Sequence, residues 1–199
     1  MKIDDVNEIF GYKKRKAIIV DIDGTAALGI GVHREAFEYD KCHFDKPNLP
    51  VWQVIKLWAQ ASPRNHVIFM SGRENVPFPG RTKRKDQHYR DKPSFNSIVY
   101  YDDCWTLTKA WISFTIEKLA SWKHQIDVTW DDCTSLVNWK LFMREHNDHR
   151  ADHEVKREMF LVEIEDDYDI QFVLDDRKQV VDMWREEGLP CFQVAPGDF

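Results

Sequence analysis

Cysteine is scarce and scattered in this chain: its four cysteines, Cys42, Cys104, Cys133 and Cys191, include no CxxC pair. That spacing argues against a disulfide framework and a cysteine-built zinc site, and it fits a reducing cytoplasm. Long apolar runs are also missing. The longest, Ala17–Val20 and Val67–Met70 among them, hold four residues each, whereas a bilayer helix needs about 20. The N-terminal MKIDDVNEIF carries acids where a secretory signal needs an apolar stretch. The expectation is a cytoplasmic protein without membrane association. No GxxxxGK[ST] loop occurs, so no ATP-binding site is expected. Positive charge is not in excess either: 28 Lys and Arg against 34 Asp and Glu give a net charge of -6, which opposes uniform coating of nucleic acid.

What is present describes one globular core. The 199 residues are 43% hydrophobic and 31% charged, a balance that excludes disorder and coiled coil and suits a single domain. Charge is nonetheless uneven. Arg81–Lys92 (RTKRKDQHYRDK) holds six Lys or Arg against two Asp, while the acids gather in Glu163–Asp169. Alone, such a basic run reads as a solvated loop or a polar helix face. The eight tryptophans could suggest base stacking, but Trp52, Trp58 and Trp184 stand at helical apolar positions and read as core.

Strand and helix patterns alternate. Ala17–Val20 reads as a buried strand, Val51–Ala61 as a helix, and His66–Met70 as a second buried strand. A helix over about 105–122 and a strand over about 138–143 follow. Asp152 is expected to cap a helix running to about Glu165, with Glu154 in its first turn. Ile170–Leu174 is a third buried strand, Lys178–Glu187 a helix stopped at Gly188, and Cys191–Val194 a last strand. Three of these strands end in polar residues: Asp21 and Asp23, Ser71 and Arg73, Asp175 and Asp176. In an open parallel sheet those carboxyl ends border the ligand crevice, so the three clusters are expected to meet.

The sharpest local signal is Asp21-Ile-Asp23-Gly24-Thr25. Alone it could be an acidic turn after a strand. With Ser71 after a strand, Lys156 near a helix start and Asp175-Asp176 after another strand, it resembles the four motifs of the haloacid dehalogenase (HAD) superfamily, mostly magnesium-dependent phosphotransferases. Four stretches, REAFEYDKC, VIFMSGRE, DHRADHEVKREMF and VLDDRKQVVDMWREEGLPCFQVAPGDF, resemble the phosphatase half of bacteriophage polynucleotide kinase/3′-phosphatases. The resemblance covers roughly residues 16–73 and 138–199. It implies an α/β, HAD-like Rossmannoid three-layer fold with a mainly parallel sheet and a small or minimal cap. The expected organisation is an N-terminal extension (1–15) and a phosphatase domain (16–199) carrying a divergent insertion at about 75–137.

The resemblance also implies roles. Asp21 is the expected nucleophile and Asp23 the general acid, then base. Carboxylate neighbours Asp21 and Asp175 would raise the proton affinity of Asp23, and a bound cation would lower it. Asp21, Asp175 and the Asp23 backbone carbonyl make an expected Mg2+ site, with Asp176 reaching the ion through water. Thr25, Ser71, Gly72 and Lys156 are expected phosphate binders, with Asp152 orienting Lys156. Arg34 and Arg73 match positions near substrate, where each could either grip phosphate or brace an acid.

His146, His149 and His153 have helical spacing that could suggest zinc, but they read as surface histidines. The leading expectation is a magnesium-dependent 3′-phosphatase of nucleic-acid ends. The alternative is a phosphatase of (deoxy)nucleoside monophosphates, and a non-catalytic module on the same fold is the third reading.

Overall fold

The computed structural model describes residues 13–78, 102–121 and 138–197. Five strands form one parallel sheet: β1 (Arg15–Asp21), β4 (His66–Glu74), β5 (Trp139–Arg144), β6 (Tyr168–Arg177) and β7 (Cys191–Gly197). Their spatial order is β5-β4-β1-β6-β7, with every neighbouring pair parallel. Each crossover carries a helix where the chain is described: α1 (Leu49–Ala61) and α2 (Cys104–Ser121), then α3 (Asp152–Glu163) and α4 (Lys178–Glu186).

The sheet is buried on both faces, which is why its strands read as continuous apolar runs and not as alternating ones. Ile18, Val20, Val67 and Phe69 face α1 and α2, meeting Trp52, Ile55, Trp111 and Ile112. Ala17, Ile19, Ile68 and Met70 face the other way, against Phe160, Val181 and Trp184 from α3 and α4. The α/β/α layering therefore follows from strand alternation: odd and even positions of one strand supply two separate cores. Trp52, Trp58 and Trp184 all belong to these cores, as their spacing implies. Trp52 and Trp111 also donate their indole N–H groups to Ala26 O and Asp45 O, fastening the segment after β1 to the helices.

That segment is a small cap. It consists of β2 (Ala27–Leu28) paired antiparallel with β3 (Lys46–Pro47), and a 3-10 helix over Tyr39–Phe44. The polar strand-ends are part of the strands themselves: β4 continues through Ser71-Gly72-Arg73 to Glu74, and β6 through Asp175-Asp176 to Arg177. Asp152 is the first residue of α3 and not its cap; Ala151 holds that position, and its N–H is met by Glu154 Oε2 at 3.1 Å. The Asp152 carboxylate is instead drawn to three cations, Arg144, Lys156 and Arg177, at 3.3, 3.5 and 3.6 Å. The basic run Arg81–Lys92 lies outside the described residues. On either side of its segment, Phe78 N–H donates to Asp102 O at 2.9 Å, so the described chain departs and resumes at neighbouring points.

Candidate active site

Strands β4 and β5 lie on one side of β1, and β6 and β7 on the other, so the order reverses between β1 and β6. Crossovers leave such a point in opposite directions and open a crevice at the strand ends. Asp21 closes β1 there, and Asp175 and Asp176 lie near the end of β6. A cavity of about 540 Å³ opens over them, lined also by Asp23, Gly72, Arg73, Asp152 and Lys156.

Lys156 is the cationic centre. The residue is 1% exposed, and its Nζ donates to Asp21 Oδ1 at 2.7 Å and to Asp175 Oδ2 at 2.9 Å. Burial alone would lower the pKa of this ammonium, but Asp152, Asp175 and Asp21 reverse that and hold it well above the ordinary value. The carboxylates show the opposite imbalance. Burial pushes Asp21 well up, and Asp175 and Asp176 repel it further, although Lys156 pulls it down. Asp175 and Asp176 are raised as well, first by burial. Thr25 Oγ1 donates to Asp176 Oδ1 at 3.1 Å, and Arg177 N–H to Asp175 Oδ1 at 3.1 Å. Negative charge thus exceeds what one lysine offsets.

Asp21, Asp175 and Asp176 each turn an oxygen to within 4.8 Å of the other two, the arrangement among the described residues suited to a metal ion. The donors are all hard oxygens, which favour Mg2+, Mn2+ or Ca2+ over zinc. The carboxylate of Asp23 is not among them, so only its backbone carbonyl is left for such an ion. His146, His149 and His153 form no such group; His146 Nδ1 lies 2.8 Å from Glu74 Oε1.

Asp23 belongs to a second ion cluster. Arg73 forks onto it, Nε to Oδ2 and Nη2 to Oδ1, both at 2.7 Å, and Arg34 Nη2 also donates to Oδ1. Behind them sits Asp45, whose side chain is fully buried. It accepts Arg34 Nε at 2.8 Å, Arg34 Nη2 at 2.7 Å and Arg73 Nη2 at 2.7 Å. Burial raises the pKa of Asp23, but Arg73 and then Arg34 more than offset it, and the net direction is down. From sequence the neighbouring carboxylates and a bound cation stand as opposing influences on this proton, and the structure adds the two arginines to them. The arginines are the nearer and stronger influence, because a charged fork in contact outweighs carboxylates at longer range.

Three glycines clear room for the acids. A Cβ on Gly24 would stand 2.2 Å from Asp176 Oδ2, one on Gly72 2.0 Å from Asp152 Oδ1, and one on Gly29 1.8 Å from Asp45 Oδ1. Gly24 also has φ +82°, a conformation glycine adopts without strain.

Of the expected site residues, Asp21, Asp23, Gly72, Arg73, Lys156, Asp152, Asp175 and Asp176 line the cavity. Thr25, Ser71 and Arg34 stand behind its wall: Thr25 bonds Asp176, Ser71 Oγ accepts Arg73 N–H at 3.1 Å, and Arg34 is committed to Asp23 and Asp45. Of the two roles open to the arginines, both brace an acid in this structure. Sequence reasoning missed Asp45, which sits in the unremarkable stretch HFDKPN and carries no motif. It also missed Thr108, whose Oγ1 accepts Arg73 Nη1 at 3.2 Å.

This fold with this carboxylate–lysine centre defines a HAD-like phosphatase domain. The family described as "Polynucleotide kinase PNKP phosphatase domain" matches residues 15–110 and 113–199, and the chain belongs to that family. Among similar proteins, one described as a bifunctional polynucleotide kinase/RNA ligase of Autographa californica nuclear polyhedrosis virus is 26% identical over 181 residues, 90% of this chain and 19% of that protein. Two solved structures of the Pnkp1/Rnl/Hen1 RNA repair complex contain a chain 32% identical to this one. They superpose with TM-scores of 0.64 and 0.65, covering 94% of this chain and 44% and 48% of theirs. The chain thus spans less than half the length of each of these relatives.

Proposed function

We propose that the chain is a divalent-cation-dependent phosphomonoesterase that removes 3′-phosphate from nucleic-acid ends through an aspartyl-phosphate on Asp21. The observation that carries this reading is the buried Lys156 cluster with Asp23 beside it. A nucleophile, a phosphate cation and an oriented proton carrier line one cavity at the switch point of the sheet. Family membership supports phosphate-ester chemistry, and the nucleic-acid context of the relatives supports the substrate class.

In the first step an Asp21 oxygen attacks phosphorus and the bond from phosphorus to the sugar 3′-oxygen breaks. Asp23 gives its proton to the departing oxygen. The guanidinium fork keeps that carboxyl aimed; the arginines favour its ionised form, and the arriving phosphate dianion raises its proton affinity again, so that Asp23 takes up from solvent the proton it then donates. Lys156 offsets charge on the phosphoryl oxygens while also holding Asp21 in place. In the second step Asp23, now a carboxylate, takes a proton from water. The water oxygen bonds to phosphorus, the bond to Asp21 breaks, and inorganic phosphate leaves. A Mg2+ held by Asp21, Asp175 and Asp176 would supply charge neutralisation for the phosphoryl group when bound. The three buried carboxylates fit that ion, being hard oxygen donors in excess of nearby cations.

Turnover of a 3′-phosphorylated oligonucleotide compared with nucleoside 3′- and 5′-monophosphates tests this reading. Preference for the oligonucleotide is expected. Activity on mononucleotides alone would make the chain a nucleotidase, a reading that the net charge of -6 accommodates.

A further inference from the structure

The catalytic cavity does not end at its own rim. A second groove, about 610 Å³, adjoins it, and Phe37, Tyr39, Glu74 and His149 line both. The remaining wall of the groove is Asp40, Val76, Pro77 and Phe78. Phe37 stands between the two spaces at 83% exposure, the highest among the large hydrophobic residues exposed in the described structure. Its ring meets Tyr39 edge-on, centroids 6.3 Å apart at 87°, which steadies it without covering it.

Charge divides the two spaces. Arg73, Arg144, Arg150, Lys156 and Arg177 line the catalytic cavity together with its acids, whereas no lysine or arginine among the described residues lines the groove. The aromatic and aliphatic part of the groove wall, Phe37, Tyr39, Val76, Pro77 and Phe78, suits a flat neutral ring. Asp23, the proton donor to the leaving oxygen in this reading, and Phe37 line the same cavity, so the group attached to that oxygen has Phe37 as one of its walls.

We propose that the groove seats the nucleobase of the terminal nucleoside, the one that carries the phosphate, with Phe37 as its stacking platform. The proposal rests on the 3′-phosphatase reading and adds a subsite to it. Stacking on an aromatic ring tolerates every base, so this subsite would favour nucleotides over other phosphomonoesters without selecting a sequence.

The test uses two oligonucleotide 3′-phosphates identical except that the terminal sugar carries a base in one and is abasic in the other. The base-bearing end is expected to have the higher kcat/KM, by roughly five- to a hundredfold, expressed mainly in KM. Phe37→Ala should bring that ratio towards one, and Phe37→Trp should keep it. With 2-aminopurine as the terminal base, binding to Asp21→Asn protein should quench its fluorescence, and the added Phe37→Ala change should abolish the quench. A ratio near one in the unaltered protein, or a ratio unchanged by Phe37→Ala, overturns the subsite and leaves the phosphatase reading standing. If neither 3′-phosphate is hydrolysed, the phosphatase reading fails and the subsite falls with it.

Discussion

Asp23 and Asp45 share their donors: the Nη2 atoms of Arg34 and Arg73 each bond to both carboxylates. Asp23 faces the cavity, and Asp45 is fully buried behind it. The second acid offsets the charge of two guanidinium groups that a single carboxylate would leave in excess, and it fixes where they point. The carboxylate that lines the cavity is therefore aimed by one that does not.

Asp45→Ala should leave Arg34 and Arg73 buried with too little negative charge. Removing one partner of a buried ion cluster costs roughly 3–5 kcal/mol, to be read from urea unfolding. Turnover should fall with it, since the Asp23 fork loses its anchor. Gly29→Ala should act in the same direction, because its Cβ would meet Asp45 Oδ1 at 1.8 Å. If both variants keep full stability and kcat, Asp45 does not position Asp23.

Asp21→Asn should abolish turnover and leave a folded protein, because an amide forms no acyl phosphate and the change relieves a site crowded with acids. Asp23→Asn should be severe for alkyl phosphates and milder for p-nitrophenyl phosphate, whose leaving group needs no proton. Equal losses on both substrates would remove Asp23 from the acid role.

Mg2+ should raise the melting temperature and EDTA should stop turnover. An ion present at a hundred times its Kd adds about 2.7 kcal/mol to the folded state. Asp175→Asn should lose that stabilisation in differential scanning calorimetry. Lys156→Ala, which leaves Asp21 and Asp175 without their shared donor, should lower metal-free stability and steepen its dependence on Mg2+.

Neutralising Arg81, Lys83, Arg84 and Lys85 together should weaken oligonucleotide substrates and flatten the salt dependence of their kcat/KM. Mononucleotide turnover at the same two salt concentrations is the comparison. Unchanged oligonucleotide kinetics would reduce this run to a solvated surface.

The layers of the fold were legible in the chain because a strand buried on both faces must be apolar throughout, as Ala17–Val20 and Val67–Met70 are. The acidic ends of β1 and β6 were legible for a related reason. A polar group directly after such a run sits at the sheet edge, and parallel connections place those edges together. Asp21 and Asp175 follow from that logic, whereas Lys156, within a helix, is marked only by the resemblance to a known family. Pairing across long separations was not legible. Asp45 bonds Arg73 only because the cap folds its loop behind the strand ends, and no periodicity records that. Asp152 reads locally as a helix cap, yet three cations from β5, α3 and β6 claim its carboxylate. The proton affinity of Asp23 depends in the same way on which charges arrive within hydrogen-bond distance. Sequence by itself determined which residue types stand at the ends of which strands. Tertiary structure alone decided their partners, because Coulomb and hydrogen-bond energies depend on distances of a few ångströms that only packing sets.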